Sequence, residues 1–429
     1  MSKQKVSEMD QKYISILQEE MVVALGCTEP IAIAYAAAKA REALGKFPES
    51  AMISCSGNII KNAMGVVVPN IGGMKGIKAS VIAGLIGGSA DHELEVLSSV
   101  EPGHLKKIQE LVDSDFCQIK QLDSDAPLHI IVSLKTGDDT STTEIKHAHT
   151  NVYRITKNDQ ILFENIIDQD LYLGTMTNRD LLTVEGIFQF AERADIDEIK
   201  ELLERQIAYN MAIAEEGLAG HYGVRIGKTL LQGMPDCTWT KSKAYTAAAS
   251  EARMSGSIMP VVTNSGSGNQ GITCSVPVIV YAREHNADHD ALLRALVLSN
   301  LLTIHQKTKI GRLSAFCGAV SAGCAAGAAI SYLAGGGIEE ISRTVTNTLA
   351  NIPGIICDGA KPSCAAKIAS SVDAGIMAHL ISMDGSAYEA GSGIIKENVE
   401  ETISMVGSMA SNGMADTDIE ILRIMLEPK

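Results

Sequence analysis

Leu128–Phe163 reads LHIIVSLKTGDDTSTTEIKHAHTNVYRITKNDQILF, and here the chain stops looking helical. Leu128–Leu134 has the composition of a strand, and Gly137-Asp138-Asp139 that of a turn. Thr143–His149, Val152–Thr156 and Ile161–Phe163 follow as strands, with Lys157-Asn158-Asp159 as the second turn. The pattern predicts an antiparallel meander between Phe116 and Asp168. Toward the N-terminus, Ile14, Leu17, Met21 and Val22 recur at helical spacing, and a helix starts near Pro30 and runs to Leu44. Ala51–Ser56 reads as a short strand before a helix through Ala63, and another helix surrounds Val81. From Leu181 onward the reading is helical almost throughout. Phe190–Glu215, Thr246–Arg253, Ala291–His305, Ile338–Asn351 and Val399–Ser408 all have helix-length patterns. The expected class is α+β. A mixed α/β domain with an antiparallel sheet spans residues 1–180, with some helices covering one sheet face, and a larger all-helical domain spans 181–429.

Composition narrows the function. In 429 residues, 36 Lys and Arg face 51 Asp and Glu, a net charge of −15. A nucleic-acid partner needs a concentrated basic surface, so that class is set aside. Residues 1–20 are polar and carry no apolar signal-peptide core. The expectation is a cytoplasmic protein whose thiols stay reduced. Leu313–Ile338 is the longest uncharged stretch, but it is made of Ala, Gly, Ser and Cys and lacks closing aromatic or basic belts. It reads as a buried helix pair, and no membrane span is expected.

Nine cysteines, an odd number, exclude complete internal disulfide pairing. Cys55, Cys117, Cys237, Cys274 and Cys324 sit in apolar or Ala/Gly-rich contexts, where a thiol acts as a small hydrophobe. Four others differ. Cys357 and Cys364 bracket a loop containing Asp358, Gly359 and Pro362, which can present both sulfurs to one point, with Cys317 arriving from a neighbouring helix. Three thiolates suit zinc or an iron–sulfur cluster, and three ligands leave one metal position open. The spacing matches neither a zinc finger nor a ferredoxin run, so by spacing alone three core cysteines remain the competing account. Cys27 stands in Gly26-Cys27-Thr28-Glu29-Pro30, with Thr28 as cap and Pro30 in the first turn. A thiol at the positive end of a helix has its pKa lowered toward neutrality, which would make a nucleophile or base. A cysteine packed beneath the cap fits the motif as well.

Asn264-Ser265-Gly266-Ser267-Gly268-Asn269-Gln270-Gly271 is the densest polar and Gly-rich stretch. It is neither a P-loop nor a dinucleotide fingerprint. Its N–H groups and amides can cradle a carboxylate, or it can be a tight helix–helix turn. His147 and His149 alternate on the expected third strand and read as a solvated polar face more readily than as metal ligands. Lys61 and Lys241 are the lysines to consider for a pyridoxal phosphate Schiff base, without a convincing phosphate-binding turn beside either.

Taken together, these motifs carry a resemblance. Gly26–Pro30, Ser56-Gly57-Asn58, Ser265–Gly271, Phe316-Cys317-Gly318 and Cys357-Asp358-Gly359-Ala360-Lys361-Pro362-Ser363-Cys364 resemble the motifs of the iron–sulfur L-cysteine desulfidases. That family is similar in its helical half to the iron–sulfur L-serine dehydratases, and the match runs from about Tyr13 to Met409. The resemblance implies a [4Fe–4S] cluster on Cys317, Cys357 and Cys364 in the helical domain, with the fourth iron open. It implies Cys27 as the catalytic acid–base group. It further implies a substrate held by Thr28, Glu29, Ser56, Asn58, Lys61, Ser265, Ser267, Asn269 and Gln270. The Ser-Ser-His-Thr motif of the serine dehydratases is absent, so L-cysteine is the favoured substrate, cleaved by β-elimination to pyruvate, ammonia and hydrogen sulfide. An L-serine dehydratase-like deaminase, a non-enzymatic iron–sulfur redox sensor and a pyridoxal phosphate lyase are the alternatives. A homodimer is plausible from the small-residue helices.

Overall fold

The computed structural model describes residues 7–165, 176–311 and 314–427. Met1 and Leu313, which open the polar N-terminal segment and the uncharged stretch, lie outside the described residues. The architecture is α+β, with two apolar cores.

The smaller core forms around a six-stranded sheet in the order β3-β2-β4-β5-β6-β7. The strands are β2 (Ser50–Cys55), β3 (Cys117–Gln121), β4 (His129–Thr136), β5 (Asp139–Lys146), β6 (Val152–Lys157) and β7 (Gln160–Glu164). The meander β4 to β7 is antiparallel, as the Leu128–Phe163 stretch requires. Asn158 and Asp159 both take positive φ, the geometry of a two-residue hairpin turn. β2 pairs antiparallel with β4 and parallel with β3, a strand the sequence reading missed. Its residues alternate weakly and most are exposed. β5 starts and ends earlier than expected, so His147 and His149 are not on a strand; they stand in the turn before β6, with His147 at φ 71°. One sheet face is covered by the helix Thr28–Leu44, whose Ala-rich composition lets it pack closely against β4, β5 and the helix Gly76–Gly87.

The larger core is helical and takes in the N-terminal helix as well as most of the second half of the sequence. Glu8–Glu20 buries Tyr13, Ile14, Ile16 and Leu17 in it. The expected helix over 190–215 is two helices, Val184–Arg193 and Asp197–Ala219. Thr238–Met254, Gly268–Glu284 and His289–Ile310 complete one side. The uncharged stretch supplies the buried helix Ala319–Leu333, which packs on Cys364–Met383 and Ile338–Asn351. Cys364–Met383 is long and apolar enough to cross a membrane by length and composition, but much of it is buried within the helical core.

Close approach of these helices depends on missing side chains. A Cβ on Gly327 would stand 2.5 Å from the Gly375 carbonyl oxygen. Gly327→Ala is therefore expected to force the pair apart and cost about 1–3 kcal/mol, measured as a lower denaturation midpoint with an unchanged m-value. An unchanged midpoint would mean that the contact is not tight.

Several contacts join the cores, two of them made by regular elements. β1 (Val23–Leu25) pairs antiparallel with β8 (Pro260–Val262). At the other end of the chain, the helix Ala415–Leu426 returns to the smaller core, where Asp418 pairs with the buried Lys61 and Leu422 packs against Gly57.

Candidate active site

A cavity of about 440 Å³, partly open to the surface, lies where the two cores meet. Its walls include Cys27, Thr28 and Glu29 from the start of the Thr28 helix, and Ser265, Ser267, Asn269 and Gln270 from the Gly-rich loop. Cys317, Cys357 and Cys364 also line it. Residues drawn from four distant stretches of sequence thus face a single space. Ser56, Asn58 and Lys61 do not line it. The Ser56 hydroxyl donates to the Pro127 carbonyl at 2.7 Å and is occupied in holding the sheet to its loop. Asn58 lies in the short helix Gly57–Ala63 outside the cavity, and Lys61 lies behind the Cys357 loop, paired with Asp418. Lys241 is engaged by Glu284 and Asp236, so neither lysine considered for pyridoxal phosphate reaches the cavity.

The thiols are set by backbone pairing. Phe316 and Ile356 form an antiparallel bridge, with Cys317 N–H donating to Ile355 O at 2.8 Å and Cys357 N–H to Ala315 O at 2.7 Å. Cys317 thus arrives on an extended segment before the Ala319 helix, rather than on a helix. Asp358 pairs with Lys361 and Lys367, which folds the loop back toward Cys364. Cys364 opens its helix, as expected. The Cys317 thiol, donating toward Cys357, draws that residue's pKa down to about 6 against its burial, with help from the charges of Lys61 and Lys307. The same contact and burial push Cys317 far up. All nine cysteines are free thiols. Among the described residues, no group of three or more His, Cys, Asp and Glu side chains is disposed around a single metal ion. A polynuclear cluster makes a different demand, because its thiolates bind separate irons and need not converge on one point.

Cys27 is itself the N-cap of the Thr28 helix, and its thiol does not cap the backbone. It donates to Glu29 Oε2 at 3.1 Å. This overturns the expected acidic thiol: burial, then the Glu29 charge, raise the Cys27 pKa well above the ordinary value despite the helix dipole and Arg253. Glu29 is also buried, which pushes its pKa upward, yet the nearby His149 charge and the Cys27 hydrogen bond hold it below the usual range. Thr28 Oγ1 lies 3.2 Å from Glu29 Oε2 and 3.1 Å from Gly266 O, tying this helix start to the Gly-rich loop. Asn62 donates to Glu29 Oε1 at 3.2 Å. In the loop, Ser267 caps the Gly268 helix, and Asn264 is anchored on the buried Asn300 at 2.9 Å.

Sequence reasoning missed Arg253, His147, His149 and Asn62, which all line the cavity. Arg253 ends a helix, where a basic residue is ordinarily read as a partner of the dipole. The histidines were read as strand residues, and only the shorter β5 turns them inward.

A family model described as serine dehydratase alpha chain matches residues 91–423. The chain belongs to that family. The matched part of this serine dehydratase alpha-chain relative carries Arg253, the Gly-rich loop and the three cavity thiols, whereas Cys27 and Glu29 precede it. The chain is 48% identical to a UPF0597 protein of Treponema denticola, over 97% of this chain and 98% of the relative. A UPF0597 protein of Lachnoclostridium phytofermentans is 50% identical, over 97% and 100%. One from Finegoldia magna is 46% identical, over 97% and 99%. These relatives span the N-terminal region that the alpha-chain model leaves out. The family's description is that of a lyase chain, which agrees with a cavity bearing acid–base groups.

Proposed function

We propose that the protein is a cytoplasmic, cluster-dependent carbon–sulfur lyase that converts L-cysteine to pyruvate, ammonia and hydrogen sulfide. The observation that carries this reading is the meeting of three thiols with the Cys27–Glu29 pair in one cavity. Cys317, Cys357 and Cys364 would hold a [4Fe–4S] cluster; their soft donor set and their shared place on the cavity wall support the fit. When bound, the cluster supplies a Lewis-acidic iron that neutralises charge developing on the substrate.

The chain's own groups handle the proton. At rest the proton sits on Cys27 and the charge on Glu29, 3.1 Å apart. Both shifts oppose passing that proton to Glu29, so a Cys27 thiolate able to remove the substrate's α-proton would form only once bound substrate has changed the surroundings of the pair. The electron pair of the Cα–H bond becomes the Cα–Cβ double bond, and the Cβ–S pair leaves with sulfide. Aminoacrylate then tautomerises and hydrolyses to pyruvate and ammonia. The walls formed by the Thr28 helix and the Gly-rich loop would orient the substrate.

The family description by itself favours L-serine as substrate. The Gly26–Pro30 and Cys357–Cys364 motifs, which resemble those of the cysteine desulfidases, favour the thiol. Anaerobically reconstituted protein is expected to release sulfide and pyruvate in equal amounts from L-cysteine, with L-serine a much poorer substrate. Preferential turnover of L-serine would move the protein to the dehydratase reading. A loaded cluster with turnover of neither would sink the lyase and leave the redox sensor.

A further inference from the structure

Arg253 is only 2% exposed and lines the cavity, yet it forms no ion pair among the described residues. Its one side-chain hydrogen bond goes from Nη1 to Asn269 Oδ1 at 3.2 Å, and its Nε has no partner. A buried guanidinium ordinarily demands a carboxylate, because desolvating it alone is costly. Its position makes the demand sharper. A Cβ on Gly268 would stand 2.4 Å from Arg253 Nε and 2.6 Å from Cζ, so the guanidinium lies flat against the first residue of the helix Gly268–Glu284. The first-turn N–H groups of a helix are unpaired within it and carry its positive dipole end. A cation placed there is repelled unless anions offset it; the charge of Glu29 acts on Arg253 from nearby but forms no ion pair with it, so the guanidinium fork has room for a second anion.

Gln270 supplies an independent observation. It is 5% exposed, lines the cavity, and its Oε1 has no hydrogen-bond partner. A Cβ on Gly318 would stand 2.5 Å from its amide carbon, so Gln270 bridges from the Gly-rich loop to the residue beside Cys317. Cys27 belongs to one packed cluster with Met254, the residue following Arg253, and with the cavity thiol Cys364, and it feels the charge of Arg253.

We propose that Arg253 and the N-terminus of the Gly268 helix form the receptor for the substrate's α-carboxylate, with Gln270 Oε1 accepting from its α-ammonium group. This rests on the lyase reading above and adds the orientation. With the carboxylate on Arg253, the α-carbon passes Cys27 and the β-substituent points toward the three thiols. The open iron is then left for sulfur rather than for carboxylate oxygen. The ligand class is a short α-amino monocarboxylate with a soft β-substituent.

The test is calorimetric binding to anaerobically purified protein, with and without its cluster. The probes are 3-mercaptopropionate (thiol and carboxylate), cysteamine (thiol and amine) and propionate (carboxylate alone). Loss of a charge-assisted hydrogen bond weakens binding by about 10- to 100-fold. Arg253→Gln is expected to weaken 3-mercaptopropionate by that factor and cysteamine less than about twofold. Arg253→Lys, which keeps the charge but loses the planar fork, should fall between. Cluster-free wild-type protein should still bind propionate, and Arg253→Gln should not. Thermal transitions identify a variant that fails to fold, in which case Arg253→Lys and the cluster-free wild type decide. Unchanged 3-mercaptopropionate affinity in Arg253→Gln, or carboxylate binding that disappears with the cluster, would overturn the assignment. Carboxylate binding at Arg253 without sulfide release from L-cysteine would sink the lyase reading alone.

Discussion

Cys27→Ser is expected to lower kcat for sulfide release about 10²- to 10⁴-fold while leaving iron content unchanged. The substitution is chosen because it isolates acidity. A serine hydroxyl can still donate to Glu29, so the local hydrogen bond survives, but its proton is far harder to remove than that of a thiol. Glu29→Gln should fall in the same direction for the complementary reason, since Cys27 would lose the group that receives its proton. The measurement is steady-state sulfide release alongside iron analysis of the same preparation. Full activity in Cys27→Ser would remove the residue from proton transfer and leave it as a helix cap. A loss of iron in step with activity would instead make it structural.

Replacing Cys357 with serine should strip most of the cluster. Iron and acid-labile sulfide after anaerobic purification are expected to drop more than about tenfold relative to wild type, a change comparable to that from disturbing ligand environments elsewhere. The position is sensitive because Cys357 is the acidic member of the Cys317–Cys357 pair, poised near Lys61 and Lys307 to exist as thiolate. Cys324→Ser is the matching control. Cys324 is buried in the helical core and does not line the cavity, so its replacement should cost stability and not iron. Equal cluster content in wild type and Cys357→Ser would take Cys357 out of the ligand set.

The meander and the long helices were legible because their patterns are local. Two turns separate strand-forming runs in Leu128–Phe163, and Ile338–Asn351 and Val399–Ser408 appear within their expected bounds. β1 and β8 were not legible, since three residues carry no period and their pairing spans most of the chain. The cavity thiols were singled out by the resemblance, because spacing alone left core cysteines as the competing account, whereas Arg253 could not be read at all. Its role depends on which helix its side chain meets, and that partner begins 15 residues later. The acidity of Cys27 was misjudged for an instructive reason. A helix dipole acts within one turn and is modest, whereas burial and a carboxylate 3.1 Å away act on the same proton in the opposite sense.

The pairing of Lys61 with Asp418 bears on how such chains can be recombined. Lys61 belongs to the sheet-bearing core and Asp418 to the terminal helix, 357 positions on, and their ammonium–carboxylate contact sits behind Cys357. A chimera whose back half lacked the carboxylate of Asp418 would leave Lys61 a buried lysine without its ion pair. An unmatched buried charge costs about 3–5 kcal/mol, a large share of a domain's whole stability. Packing divides this protein in two, but inheritance has to treat it as one.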